Sequence, residues 1–165
     1  MKRFRLKYTL IVAGIYVALA SITVYTVKLN YEKDLRKEFV SHLIAMTKSI
    51  QDELSETIES GNRHYLKTIA RSFASLGGSY RIISYRITGE VNRDGGWGVI
   101  ASILIDMDKN TGFLTDREKE ILEEIYWLND VLLKTLNNKE TIAKEELKTV
   151  LSSYYRDIRE LVTEK

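Results

Sequence analysis

Tyr80-Arg-Ile-Ile-Ser-Tyr-Arg-Ile-Thr-Gly-Glu-Val-Asn-Arg93 and Trp97-Gly-Val-Ile-Ala-Ser-Ile-Leu-Ile-Asp-Met-Asp108 flank the turn Asp94-Gly95-Gly96. Glycines there supply the positive φ that a short hairpin loop requires. Pairing Arg93 with Trp97 sets odd-numbered residues opposite odd. Ile83, Tyr85, Ile87, Gly89 and Val91 then share a face with Met107, Ile105, Ile103, Ala101 and Val99. A one-residue slip would set that apolar row against Ser102 and Asp106, so the pattern specifies its own register. The stretch therefore predicts an antiparallel β-hairpin over 80–93 and 97–108. Its other face carries Ser84, Arg86, Thr88 and Ser102, interrupted by Ile82, Ile100 and Leu104.

Helical periodicity surrounds this stretch on both sides. Upstream, Leu35, Phe39, Leu43, Met46, Ile50, Leu54, Ile58, Gly61, Tyr65, Ile69, Phe73 and Leu76 recur at spacings of four, four and three. That is the repeat of a long, stalk-like, coiled-coil-forming amphipathic helix over 29–76. Gly61, inside the polar run Glu59-Ser60-Gly61-Asn62, predicts a break, and Gly77-Gly78 predicts the end. Downstream, Ile121, Leu122, Ile125, Leu128, Leu132 and Leu136 stripe a helix over 116–136, with Tyr126, Trp127 and Val131 widening it. After a turn at Asn137-Asn138, Ile142, Leu147, Leu151, Tyr154, Ile158 and Leu161 stripe another over 139–162. The fold class read here is α+β and mainly helical, with the hairpin and two C-terminal helices forming one small domain over 77–165.

Before the stalk, no charge interrupts the sequence from Tyr8 to Val27. About twenty apolar residues at ~1.5 Å rise cover a ~30 Å hydrocarbon layer, and Tyr8 and Tyr25 sit near the ends where headgroups would be. The reading is a transmembrane anchor over 8–28 after a basic tail over 1–7. A cleaved signal peptide ending at Ala18-Leu19-Ala20 is the competitor, but the apolar run continues through Ile22, Val24 and Val27. Lys2, Arg3, Arg5 and Lys7 make the short tail costly to translocate. This favours a signal-anchor with its N-terminus in the cytoplasm and its domain outside. Gly14 and Ala18 have the spacing that lets two membrane helices approach closely.

Composition excludes several classes. Twenty-five basic and 23 acidic residues leave a net charge of +2, so no global field draws nucleic acid. With no cysteine there is no disulfide, thiolate zinc site or thiol nucleophile. His42 and His64 are six helical turns apart on the stalk. No serine elbow or phosphate-cradling loop occurs, and Gly95-Gly96-Trp97-Gly98 lies in the expected hairpin turn rather than ahead of a helix, so it does not read as a nucleotide fingerprint. The order of an apolar helix, an amphipathic helix and a β region resembles that of a type IV pilin, but the chain is not assigned to that family. The processing-site glycine and the early glutamate of that family are both missing.

One constellation could carry chemistry. Asp106, Asp108, Asn110, Asp116 and Glu118 place oxygen ligands around Gly112, as a calcium loop does, provided Thr111 is an insertion. Without the insertion, Thr111 takes the glycine slot and Arg117 the slot of the bidentate glutamate. The preferred reading is that Asp and Asn turn the chain while Thr115 and Glu118 form a capping box on the next helix. On these grounds the sequence reads as a single-pass, non-enzymatic interaction or assembly protein without a cofactor. Its partners are the lipid bilayer and either a second copy or another membrane protein. Calcium or ligand sensing by the 106–118 loop is the alternative.

Overall fold

The structure is a computed structural model and describes residues 2–89, 96–137 and 142–163, with side chains described from residue 13 onward except at 162. Among the described residues there are five helices: α1 (Lys2–Ser60), α2 (Leu66–Thr88), α3 (Trp97–Asp108), α4 (Asp116–Asn137) and α5 (Lys144–Thr163). Among the described residues there is no strand. The expected hairpin is overturned: its first arm as far as Thr88 is the end of α2, and its second arm is α3. The proposed turn residues Asp94 and Gly95, and the arm residues 90–93, lie outside the described residues, as does Asn138.

Burial explains the correction. Trp97, Ile100, Leu104 and Met107 are buried at steps of three, four and three, with Ala101 buried beside them, while Ile105 is exposed. In α2 the buried set is Tyr80, Ser84, Ile87 and Thr88, while Ile82 is 82% exposed. Alternation and helical period both fit so dense a run of apolar residues. The helix wins because it buries Ile100 and Leu104, which a hairpin leaves on its wet face.

The second correction concerns Gly77-Gly78, which α2 passes through without ending. Each glycine costs a helix interior about 1 kcal/mol, but the buried stripe continues across the pair from Leu76 to Tyr80. Fully burying one such side chain contributes about 1.5–3 kcal/mol. The helix instead stops at Gly89, whose φ of 77° and N–H bond to the Tyr85 carbonyl make a left-handed cap. The break expected near Gly61 is present. Gly61 has φ 66° and its N–H donates to the Thr57 carbonyl at 3.0 Å.

The chain divides into two units, Met1–Leu35 and Arg36–Lys165. The first contains a helical segment long and apolar enough to cross a membrane. From Ile15 to Val27 its large apolar side chains are exposed, and the Ser21, Thr23 and Thr26 hydroxyls donate to the carbonyls of Val17, Leu19 and Ile22. In hydrocarbon each polar group has to be satisfied within the helix, and these hydroxyls are.

The second unit is a helical bundle. α2 packs on α3, and α5 on α2, α3 and α4. Phe39, Leu43, Ile50 and Leu54 are the buried stripe of its part of α1. A run of rings links four helices: Phe39 to Tyr80 at 5.7 Å, Tyr80 edge-on to Trp97 at 5.4 Å, and Trp97 to Tyr154 at 5.9 Å. The Tyr154 hydroxyl donates to Asn129 Oδ1 at 2.7 Å, adding α4 to the chain. Burial pushes the Tyr154 phenol above its ordinary range, partly opposed by a hydrogen bond from Trp97.

Candidate functional site

The most elaborate polar cluster lies where the α1–α2 link meets the loop between α3 and α4. Gly61 ends α1, and Asn62 Oδ1 accepts the His64 N–H at 3.0 Å, so the link turns tightly and sets Arg63 inward. Arg63 is 8% exposed, and all five of its side-chain N–H donors are used. Nε donates to the Gly112 carbonyl at 3.1 Å. Nη1 donates to the Met107 carbonyl at 2.6 Å and to Glu118 Oε1 at 2.8 Å. Nη2 donates to the Phe113 carbonyl at 3.1 Å and to Glu118 Oε2. Beside this clamp, the Leu114 N–H donates to the Gly61 carbonyl at 2.8 Å.

Glu118 is as fully engaged as its partner. Beyond Arg63, it accepts the Thr115 N–H at 2.8 Å, the Thr115 hydroxyl at 2.9 Å and Asn110 Nδ2 at 3.0 Å. The Glu118 N–H in turn donates to Thr115 Oγ1 at 3.3 Å, which completes the capping box at the start of α4. The Arg63 guanidinium, helped by Thr115 and Asn110, holds the Glu118 carboxyl down to about 2 against the opposing effect of burial. A group with no free lone pair or proton is poorly placed for acid–base work. The arrangement clamps three segments together.

The five residues read as metal ligands are dispersed among other tasks. Glu118 is in the clamp, and Asn110 donates to it. Asp106 is exposed and pairs with Lys109 at 2.7 Å. Asp108 and Asp116 are exposed at the end of α3 and the start of α4. Among the described residues no group of three or more His, Cys, Asp or Glu side chains is placed to hold a metal ion.

A different surface carries an open groove of about 560 Å³, which runs between α4 and α5 with Trp127, Leu128 and Leu161 along its floor. Glu124, Asp157, Glu160 and Arg117 form its edges. Trp127 is 62% exposed there, and the groove is continued by a second stretch of about 240 Å³ between Val131 and Val150. On α2, Ile82 and Tyr85 (67% exposed) form an apolar ridge one turn long.

No family model, curated protein or solved structure matches the chain. The site's reading therefore stands on its geometry.

Sequence reasoning missed Arg63 and found its partner for one of the right reasons, the cap. An arginine directly after a helix-breaking Gly-Asn pair is the signal that was there: it lies at a break, where free carbonyls gather. Which carboxylate would meet it depends on the packing of segments 55 residues apart. Sequence reasoning also put Ile82 and Ile100 on one face, whereas the helices bury Ile100 fully and expose Ile82.

Proposed function

We propose that this chain is a single-pass membrane protein whose helical domain is a non-enzymatic interaction module that assembles with copies of itself. The reading rests chiefly on one observation. The domain buries and satisfies its central polar cluster yet leaves Trp127, Ile82 and Tyr85 in solvent. Large aromatic and aliphatic side chains clustered on otherwise well-packed surfaces mark contact sites. The exposed, internally satisfied apolar helix of the first unit supports a tether, which raises the local concentration of copies. The cationic tail of Lys2, Arg3, Arg5 and Lys7 favours a cytoplasmic N-terminus with the domain on the far side.

Crosslinking of the full-length protein in native membranes with an amine-reactive reagent tests the assembly. The expected product is a ladder of multiples of the chain mass, identified by mass spectrometry. Recovery of the monomer alone across reagent lengths overturns it. Protease added to spheroplasts should remove the domain, and protection of the domain would reverse the orientation.

A further inference from the structure

We infer that the α2 ridge of one copy seats in the α4–α5 groove of a second copy, making a head-to-tail contact. This rests on the self-association reading above and names the two surfaces that would carry it.

The charge pattern of α2 is one-sided. Its sequence contains Lys67, Arg71, Arg81 and Arg86 and no Asp or Glu, and all four bases are exposed on the face that carries Ile82 and Tyr85. The groove has the complementary character. Its apolar floor is built on Trp127, and its edges carry three carboxylates against one arginine. The acid partners already present on that edge are weakly held. Arg156 reaches the half-buried Asp157 at 3.2 Å and the exposed Glu160 at 4.0 Å. Pairs made by an exposed arginine at the surface are weakened by solvent screening, so an incoming arginine can exchange with them.

Within one chain both the ridge and the groove remain open, since Ile82, Tyr85 and Trp127 are all exposed. A second copy covers both surfaces with one contact. An anionic bilayer surface would meet the basic ridge alone, and the acidic groove would repel it. Because ridge and groove are different patches, the contact is heterologous. Each pairing leaves one ridge and one groove available, so the assembly closes as a ring or extends as a row. Tethered copies share one membrane plane, which aligns them for either outcome.

The absence of native cysteine allows a direct test with full-length protein in membranes. Differently tagged copies carrying Ile82→Cys and Trp127→Cys are coexpressed and treated with a short bis-maleimide. Both sites are exposed, and circular dichroism melting checks that each variant folds as the parent does. The expected product joins the two tags through residues 82 and 127. Arg81→Glu in the first copy should lower its yield severalfold, and Asp157→Arg with Glu160→Arg in the second should restore it. An Ile82→Cys copy crosslinked to another Ile82→Cys copy in its place indicates an isologous contact and overturns the inference. So does quenching by nitroxide headgroup lipids of a fluorophore attached to the Ile82→Cys thiol, without the 82–127 product, which assigns the ridge to the bilayer. If amine-reactive multimers persist without the 82–127 product, this contact fails while self-association stands. If multimers are absent as well, both readings fall.

Discussion

The Arg63 guanidinium faces the Glu118 carboxylate in parallel, Nη1 at 2.8 Å from Oε1 and Nη2 at 2.5 Å from Oε2, across 55 residues of sequence. Both side chains are about nine-tenths buried. Removing one member of such a pair leaves the other charge uncompensated, whereas replacing both with apolar groups is much cheaper. Arg63→Met should destabilise the domain by about 3–5 kcal/mol. Arg63→Met with Glu118→Leu should cost clearly less than the sum of the two single changes. Chemical denaturation of the four proteins in detergent gives the double-mutant cycle, and additive losses would deny the coupling.

The same carboxylate makes stability pH-dependent in a defined direction. Glu118 titrates at about 2 when folded, below its ordinary value of 4.5. The unfolded chain therefore binds its proton first on acidification. The contribution is complete above about pH 5, falls as pH drops below 4.5 and is gone once pH is below about 2. It amounts to at most about 3 kcal/mol. Melting temperature measured from pH 6 to pH 2 should fall less steeply in Glu118→Gln than in the parent. Parallel slopes would show that Glu118 is not the group responsible.

Thr115→Ala removes the hydroxyl that both donates to Glu118 and accepts its N–H. A lost N-cap of this kind costs about 0.5–2 kcal/mol. The loss should be the same with calcium and with a chelator, because Glu118 is occupied by Arg63, Thr115 and Asn110 rather than turned outward. A melting point raised by calcium in the parent and not in Thr115→Ala would restore the loop as a ligand site.

Tyr154 and Asn129 offer a second buried pair. Asn129 Nδ2 has no hydrogen-bond partner among the described residues, so the contact through Oδ1 is the part of this amide that the domain satisfies. Tyr154→Phe should destabilise by about 1–3 kcal/mol, the cost of orphaning a buried polar group. Adding Asn129→Leu should recover much of that loss. A double variant less stable than Tyr154→Phe would mean the amide is satisfied in some other way.

What the sequence made legible divides along a physical line. The apolar run after Lys7 was readable from its length and lack of charge, and the stripe from Phe39 to Phe73 and the two C-terminal helices because each has one dominant period. The Thr115–Glu118 cap was readable because it is local, its two residues standing three positions apart. Arg63 was not, since nothing local selects Glu118 over the chain's other carboxylates. The 80–108 stretch failed for another reason. Isoleucine, tyrosine and valine are abundant there, and both a period of two and a period near 3.6 fit. Gly89 and Gly96, read as strand and turn residues, are instead the left-handed glycines that end α2 and precede α3.

Ile82 and Ile100 separate the two readings by experiment. A hairpin puts both on its outer face, so lysine at either position should be tolerated about equally. The helical packing leaves Ile82 82% exposed and Ile100 fully buried beside Trp97 and Leu104 on α3. Ile100→Lys then has to desolvate an unpaired ammonium or open the core, and should cost more than about 3 kcal/mol. Ile82→Lys should change stability by no more than about 0.5 kcal/mol. Thermal melts of the two variants decide between the readings, and equal melting points near that of the parent would contradict α3. Stability and assembly should also come apart at these positions. Ile82→Asp should keep the fold while lowering the yield of amine-crosslinked multimers, because it places a negative charge on the apolar ridge that, in the inferred contact, faces the carboxylates of the groove. Unchanged crosslinking in that variant would show that the ridge is solvent-facing in the assembled protein as well as in the single chain.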